Sequence, residues 1–198
     1  MRMRRAAGLG AAGLAAVLMT ACSSVSPRRG LLAERVDLRV PFYPDSSQPG
    51  GRAALASLLS YWDQPIEPEQ LKSEVSAQAA VGPRGSLPTD LVLAAENRGM
   101  QARSFQASLD EVKTELALGH PVLAFLDLDR LPFGGDRFVV VTGFDDARGG
   151  FLVDAGRARR RFVPYRTFLS RWNKTGRWAI LVMPAGEATM SERSARNP

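Results

Sequence analysis

The chain has 198 residues, 45% of them hydrophobic, which suits one globular domain with a sizeable core. Its net charge is +6, but three arginines of the leading segment supply half of that, leaving +3, too little to imply a nucleic-acid partner. A single cysteine and a single histidine exclude an internal disulfide and leave little from which to build a metal centre.

The chain opens with a basic segment carrying Arg2, Arg4 and Arg5, followed by an apolar run from Ala6 to Met19 rich in Ala, Gly and Leu. Thr20-Ala21-Cys22-Ser23-Ser24 comes next. A short apolar run with a basic flank and small residues at its end predicts a secretory signal, not a spanning helix. Met19-Thr20-Ala21-Cys22 resembles a bacterial lipobox cleaved before Cys22, with Met19 in place of the usual Leu. An ordinary signal peptide cleaved nearby is the alternative, and the position of the only Cys favours the lipobox. Ser23 after the Cys, by resemblance to Gram-negative lipoproteins, implies the periplasmic face of the outer membrane. Acyl carbons at ~0.8 kcal/mol each, on more than one chain, would give a stable membrane anchor. The expected organisation is a signal at 1–21, a lipidated Cys22 and tether at 22–35, a domain at 36–186 and a flexible tail at 187–198.

Within the domain, Val36, Leu38, Val40 and Phe42 alternate, predicting a strand over Val36–Tyr43 broken late by Pro41. A loop follows, and then a helix from Gly51 or Arg52 to Trp62. Leu55, Leu58, Leu59 and Trp62 recur there with helical spacing. Pro68 opens a short helix over Glu67–Val75, and a Gly/Pro loop leads to a third helix over Leu87–Arg98, stopped by Gly99. Met100–Gln106 reads as a strand, and Ser108 with Glu111 forms a capping box for a helix to Leu118. Val122–Leu128 and Arg137–Phe144 are apolar strands, the second turning into a hairpin partner at Phe151–Asp154. Arg159–Val163 predicts another antiparallel strand, Pro164–Trp172 a short helix, and Trp178–Met183 a closing strand. The order predicts an α+β fold in which a helical layer covers one face of a mostly antiparallel sheet.

Gly51-Arg52-Ala53-Ala54-Leu55-Ala56, Gly85-Ser86-Leu87, Gly119-His120-Pro121-Val122, Phe138-Val139-Val140-Val141-Thr142-Gly143-Phe144-Asp145 and Leu152-Val153-Asp154 stand in one order and spacing. In that order they resemble the motifs of the bacteriocin-processing (double-glycine) cysteine peptidases, a papain-like family, over roughly Val36 to Gly186. The resemblance implies a papain-like fold, with N-terminal helices packed on a mostly antiparallel sheet. It also locates the family's catalytic positions. The nucleophile position falls on Gly50, the base position on Arg137 and the orienting acid on Asp154, which is retained. The oxyanion-hole position falls near Asp45, with Gln48 close by but displaced.

The residues themselves deny cysteine-peptidase chemistry, which needs a thiolate and an imidazole within hydrogen-bond reach. Cys22 lies in the lipobox, and His120 sits between Gly119 and Pro121, where a solvated turn histidine is expected. An arginine at position 137 stays protonated and cannot act as a base. Across the hairpin it is expected to pair with Asp154 instead. Ser46 and Ser47 have no base beside them and read as turn residues; Asp127, Asp129, Asp145 and Asp146 read as turn or strand-end acids, and no metal or cofactor is expected. The run Arg157, Arg159, Arg160, Arg161 is either an anion-binding site or the solvated face of an edge strand, the latter favoured. The expected function is therefore an inactive, lipid-anchored peptidase-like module that binds a peptide or protein segment in the former cleft. A residual hydrolase with unfamiliar residues, or a lipoprotein whose groove its own side chains fill, are the alternatives.

Overall fold

The computed structural model describes residues 34–44, 51–75, 87–127 and 138–187. Among them, seven strands form one antiparallel sheet. They are β1 (Arg35–Asp37), β2 (Met100–Gln106), β3 (Val122–Phe125), β4 (Phe138–Asp145), β5 (Gly150–Ala155), β6 (Ala158–Pro164) and β7 (Trp178–Pro184). The order across the sheet is β2-β7-β3-β4-β5-β6, and β1 pairs with the second half of β4. Trp178–Met183 therefore does not close the sheet at an edge: β7 lies inside it, between β2 and β3. The helices are α1 (Arg52–Tyr61), α2 (Leu87–Glu96), α3 (Leu109–Ala117) and α4 (Tyr165–Trp172).

Every residue of β4 and β5 is buried, because the runs Phe-Val-Val-Val and Gly-Phe-Leu-Val are apolar at both parities. Both faces of the sheet then need cover, and the expectation of a helical layer on one face is corrected. Phe138 and Val140 join Leu55, Leu58, Leu59, Leu91 and Ala95 of α1 and α2 on one side. Val139 and Val141 join Val112, Leu116, Phe168 and Trp172 of α3 and α4 on the other. Each such side chain contributes roughly 1.5–3 kcal/mol on full burial.

Local signals set the element ends. The Ser108 hydroxyl accepts from the Glu111 N–H at 3.2 Å while the Glu111 carboxylate accepts from the Ser108 N–H at 2.7 Å, a reciprocal cap that opens α3. That carboxylate is held below its ordinary pKa, chiefly by the Ser108 N–H. Past α2, Gly99 takes a φ of 74°, the left-handed conformation that ends a helix. The Trp62 indole at the end of α1 donates to the Val182 carbonyl at 2.7 Å, tying the helix to β7.

Two elements are shorter than the pattern predicts. The strand expected over Val36–Tyr43 keeps ladder pairing only at Arg35–Asp37; Leu38 N–H still reaches the Thr142 carbonyl at 2.8 Å, and Pro41 and Pro44 have no N–H to offer. The helix expected over Glu67–Val75 is regular only as the 3₁₀ turn Pro68–Leu71, whose first N–H, from Glu67, goes to the Gln70 side chain at 2.9 Å.

Candidate functional site

The N-terminus of α1 meets the β4–β5 pair at the point where the family motifs converge. Gly51 precedes the helix at a φ of 73°, which favours glycine. A Cβ there would lie 2.9 Å from Leu91 Cδ1 and 3.0 Å from Phe138 Cδ2, so two apolar side chains crowd the mouth of the helix. Beside it, Tyr43, Ala53, Ala54 and Ser57 face Phe138, Val140 and Asp154 across a hollow of about 20 Å³, room for about one water molecule. The Ser57 hydroxyl is turned back onto the Ala53 carbonyl at 2.9 Å, and Tyr43 shares a hydrogen bond with Ser60 at 3.1 Å.

Asp154, the position that the resemblance assigns to the orienting acid, is buried. Register places it across from Val140 of β4. On its other side β5 and β6 slip between Val153 and Ala155, and Arg160 enters the slip at a φ of 52°. The Arg160 main-chain N–H thereby donates to Asp154, while its guanidinium pairs with Asp37 of β1. Burial pushes the Asp154 carboxyl above the ordinary carboxylate range, opposed by the Arg160 N–H and by the charges of Arg159 and Arg160. One oxygen of Asp37 is buried with no hydrogen bond of its own.

A raised carboxylate pKa in the fold sets the sign of the pH dependence. Between the unfolded and folded pKa values the native state binds more protons, so the Asp154 contribution falls as pH rises through that window. Asn at this position still accepts from the Arg160 N–H and carries no charge to desolvate. Asp154→Asn is expected to melt above the wild type at neutral pH, with the gap closing once the medium is acid enough to protonate Asp154 in both states. Melting curves across the acid range check this; a variant that melts lower at neutral pH overturns it.

His120 corrects the sequence reading. It is buried, not solvated. α3 stops at Ala117, and Gly119 at a φ of 90° folds the chain back over the helix end. His120 Nδ1 then lies 2.8 Å from Glu115 Oε2, and its main-chain N–H donates to the Glu115 carbonyl at 2.9 Å. A carboxylate accepts only, so Nδ1–H is the donor. Tyr61 O–H donates to the Gly119 carbonyl at 2.8 Å, and the Trp62 ring lies 5.9 Å from the imidazole. The histidine thus adjoins the C-terminal end of α1, whereas Asp154 adjoins Ala53 and Ala54 at its N-terminal end. At 1.5 Å per residue these ends are on the order of 10 Å apart, and the two side chains do not meet.

The arginine run divides. Arg159 and Arg161 are exposed along the edge strand β6, and Arg157 in the turn before it, as expected for a solvated face, but Arg160 is drawn inward by Asp37 and Asp154. Nothing in its sequence neighbourhood marks Arg160 as the residue that engages the retained acid; only the register slip does. The turn acids have structural partners: Asp146 takes Lys113 at 2.5 Å and the Tyr165 O–H at 2.5 Å, Asp145 accepts from the Arg148 N–H at 3.0 Å, and Asp127 pairs with Lys174 at 3.0 Å. Cys22, Asp45, Ser46, Ser47, Gln48, Gly50, Asp129 and Arg137 lie outside the described residues, and with them the expected Arg137–Asp154 pair.

Comparison with known proteins agrees with this architecture. No curated protein matches the chain. Among solved structures, it is similar to a double glycine motif protease from an AMS/PCAT transporter, crystallised with the leader peptide, at 19% identity and a TM-score of 0.58, covering 76% of this chain and 95% of that one. It is similar to the peptidase domain of Streptococcus ComA, a bifunctional ABC transporter involved in quorum sensing, at 18% identity and a TM-score of 0.56, covering 73% and 98%. A C39-like peptidase from Bacillus anthracis gives 18% identity and a TM-score of 0.60, covering 75% and 97%. These likenesses show a shared fold. The model of the Peptidase C39 family matches residues 44–185, well over half of the chain, and the chain belongs to that family.

Proposed function

We propose that this chain is a catalytically inactive C39-type domain, lipid-anchored through Cys22 at the cell envelope on the periplasmic face of the outer membrane. It binds a peptide or protein segment in the former substrate cleft. One observation carries the reading: the chain's one imidazole is locked against Glu115 at the wrong end of α1, while Asp154, the retained acid, is engaged by the main chain of Arg160. With Gly50 at the nucleophile position and Arg137 at the base position, the family mechanism has neither thiolate nor base. What remains is a surface descended from a peptide-binding groove, and a double glycine motif protease of the same fold was crystallised with its leader peptide. No cofactor and no nucleic acid enter this reading.

The small hollow beside Asp154 favours a second reading, in which Phe138 and Tyr43 fill the groove and nothing binds there. The full chain, mixed with a fluorescent peptide ending in Gly-Gly, separates the two. Saturable binding without cleavage, lost in Ala54→Trp, is the expected result. Absence of binding favours the filled groove, and turnover that disappears in Asp154→Ala refutes inactivity. Palmitate labelling of the chain in a Gram-negative host, abolished by Cys22→Ser, tests the anchor.

A further inference from the structure

Among the described residues the sheet has two free edges, β6 and β2, and they are built differently. β6 is guarded: it carries Arg159 and Arg161 at exposed positions, with Arg157 exposed just before it, its register slips opposite Asp154, and it ends in Pro164, which has no N–H. Charge, a bulge and proline are the devices that keep an edge strand from pairing with another chain. β2 has neither bulge nor proline and carries a single charge. It pairs with β7 in unbroken register from Met100↔Pro184 to Gln106↔Trp178, has no proline, and its one charge, Arg103, faces Glu115 at 3.4 Å.

The register also shows which groups face outward. Ala107 N–H bonds inward to the Arg177 carbonyl, continuing the same ladder. In an antiparallel pair inward-bonded residues alternate with outward ones, so Gln101, Arg103 and Phe105 bond inward and Met100, Ala102, Ser104 and Gln106 present N–H and C=O groups to the outside. Among the described residues these groups meet no further strand.

We propose that β2 pairs with β2 of a second copy of this chain, antiparallel across a two-fold axis at Ser104, making one continuous sheet. Three registers keep both faces of the sheet aligned over most of the strand. The one centred on Arg103 sets two like charges directly opposite and is disfavoured. The one centred on Ala102 sets Arg103 opposite Gln101 and leaves Gln106 unpaired, so it gains no contact between Arg103 and an aromatic ring. The one centred on Ser104 pairs three of the four outward residues, Ala102 with Gln106 and Ser104 with its own copy, and leaves only Met100 at the strand end. It also sets Arg103 opposite Phe105 at a non-hydrogen-bonded position, where side chains come closest. Within one chain the Arg103 guanidinium already stacks 4.3 Å from the Phe105 ring, and the pairing repeats that contact between chains. The interface is isologous, as a two-fold requires. Its area falls at the low end for specific contacts, so monomer and dimer exchange reversibly. The surface lies on the opposite edge of the sheet from β6, and the proposal stands or falls independently of any ligand in the hollow.

Sedimentation of the full chain over a concentration series is expected to show a monomer–dimer equilibrium. Ser104→Pro removes only an outward N–H, so it leaves far-UV circular dichroism unchanged while weakening dimerisation by about tenfold or more. In a Cys22→Ser background, Ser104→Cys places two Cα atoms at about 5.5 Å, within disulfide range, and mild oxidation cross-links it, whereas Gln101→Cys does not. A chain that stays monomeric at every concentration, a dimer untouched by Ser104→Pro, or equal cross-linking of Ser104→Cys and Gln101→Cys overturns the proposal. Should Ser104→Pro fail to fold, the cross-linking pair decides alone.

Discussion

Gly143→Ala is expected to cost the domain about 3 kcal/mol or more, a large part of the roughly 5–15 kcal/mol that holds a domain together. A Cβ at this position would lie 2.1 Å from the Val36 carbonyl oxygen, 2.9 Å from its carbon and 3.0 Å from Asp37 Cα. All three are main-chain atoms, which cannot rotate out of the way as a side chain can. Gly143 lies beside the bulge of β4 and pairs with Asp37, so β1 can sit on β4 only because nothing projects from this residue. Separation of β1 would also break the ion pair of Asp37 with Arg160 and the bond from Leu38 N–H to Thr142. The damage therefore reaches the segment that leads into α1. Urea denaturation measures the loss, with Gly186→Ala as the control, since a Cβ there meets nothing within 4 Å. A Gly143→Ala midpoint equal to that of the control would mean that β1 does not approach β4 this closely.

The second large effect is one of chemistry withheld. Gly50→Cys in a Cys22→Ser background puts a lone thiol at the position that the resemblance assigns to the nucleophile. It is expected to react with iodoacetamide yet give no peptide hydrolysis above background. Loss of the general base alone costs on the order of 10⁶ in rate in hydrolases of this logic. The residue that the resemblance assigns to the base position, Arg137, cannot take a proton, and His120 is held by Glu115 at the far end of α1. The retained acid cannot help, because a carboxylate in this role only orients an imidazole, and Asp154 already accepts from Arg160. Hydrolysis restored by this one change would reveal a base elsewhere and refute the assignment of Arg137.

Much of the architecture was legible because the signals are local. Met100–Gln106 forms the predicted strand residue for residue, and the Ser108–Glu111 cap opens the predicted helix. The apolar run at Leu55, Leu58 and Leu59 buries the face that its spacing demands. What the sequence hid depends on residues far apart in the chain. The insertion of β7 between β2 and β3 joins segments about eighty and sixty residues from it. The burial of His120 turns on Glu115 and Trp62, one on α3 and the other on α1. A glycine next to a histidine reads as a turn, and the turn is real, but its inner side is the core. Of the candidate site, Asp154 was singled out through the resemblance, and it is buried. Its partner was not legible, since Arg160 reaches it through a main-chain amide that any residue could have supplied.

The solitary imidazole has a practical consequence. With one histidine in 198 residues, the aromatic proton spectrum of the chain contains a single pair of imidazole lines that need no assignment. The Trp62 ring, 5.9 Å away, displaces those lines by its ring current, and the displacement depends on how α1 sits against the end of α3. The Nδ1 proton, shielded from water by its bond to Glu115, gives a further signal that disappears when the junction opens. A one-dimensional spectrum thus reports on the seating of the central helix, and a ligand entering at its other end can be followed through a nucleus it never touches.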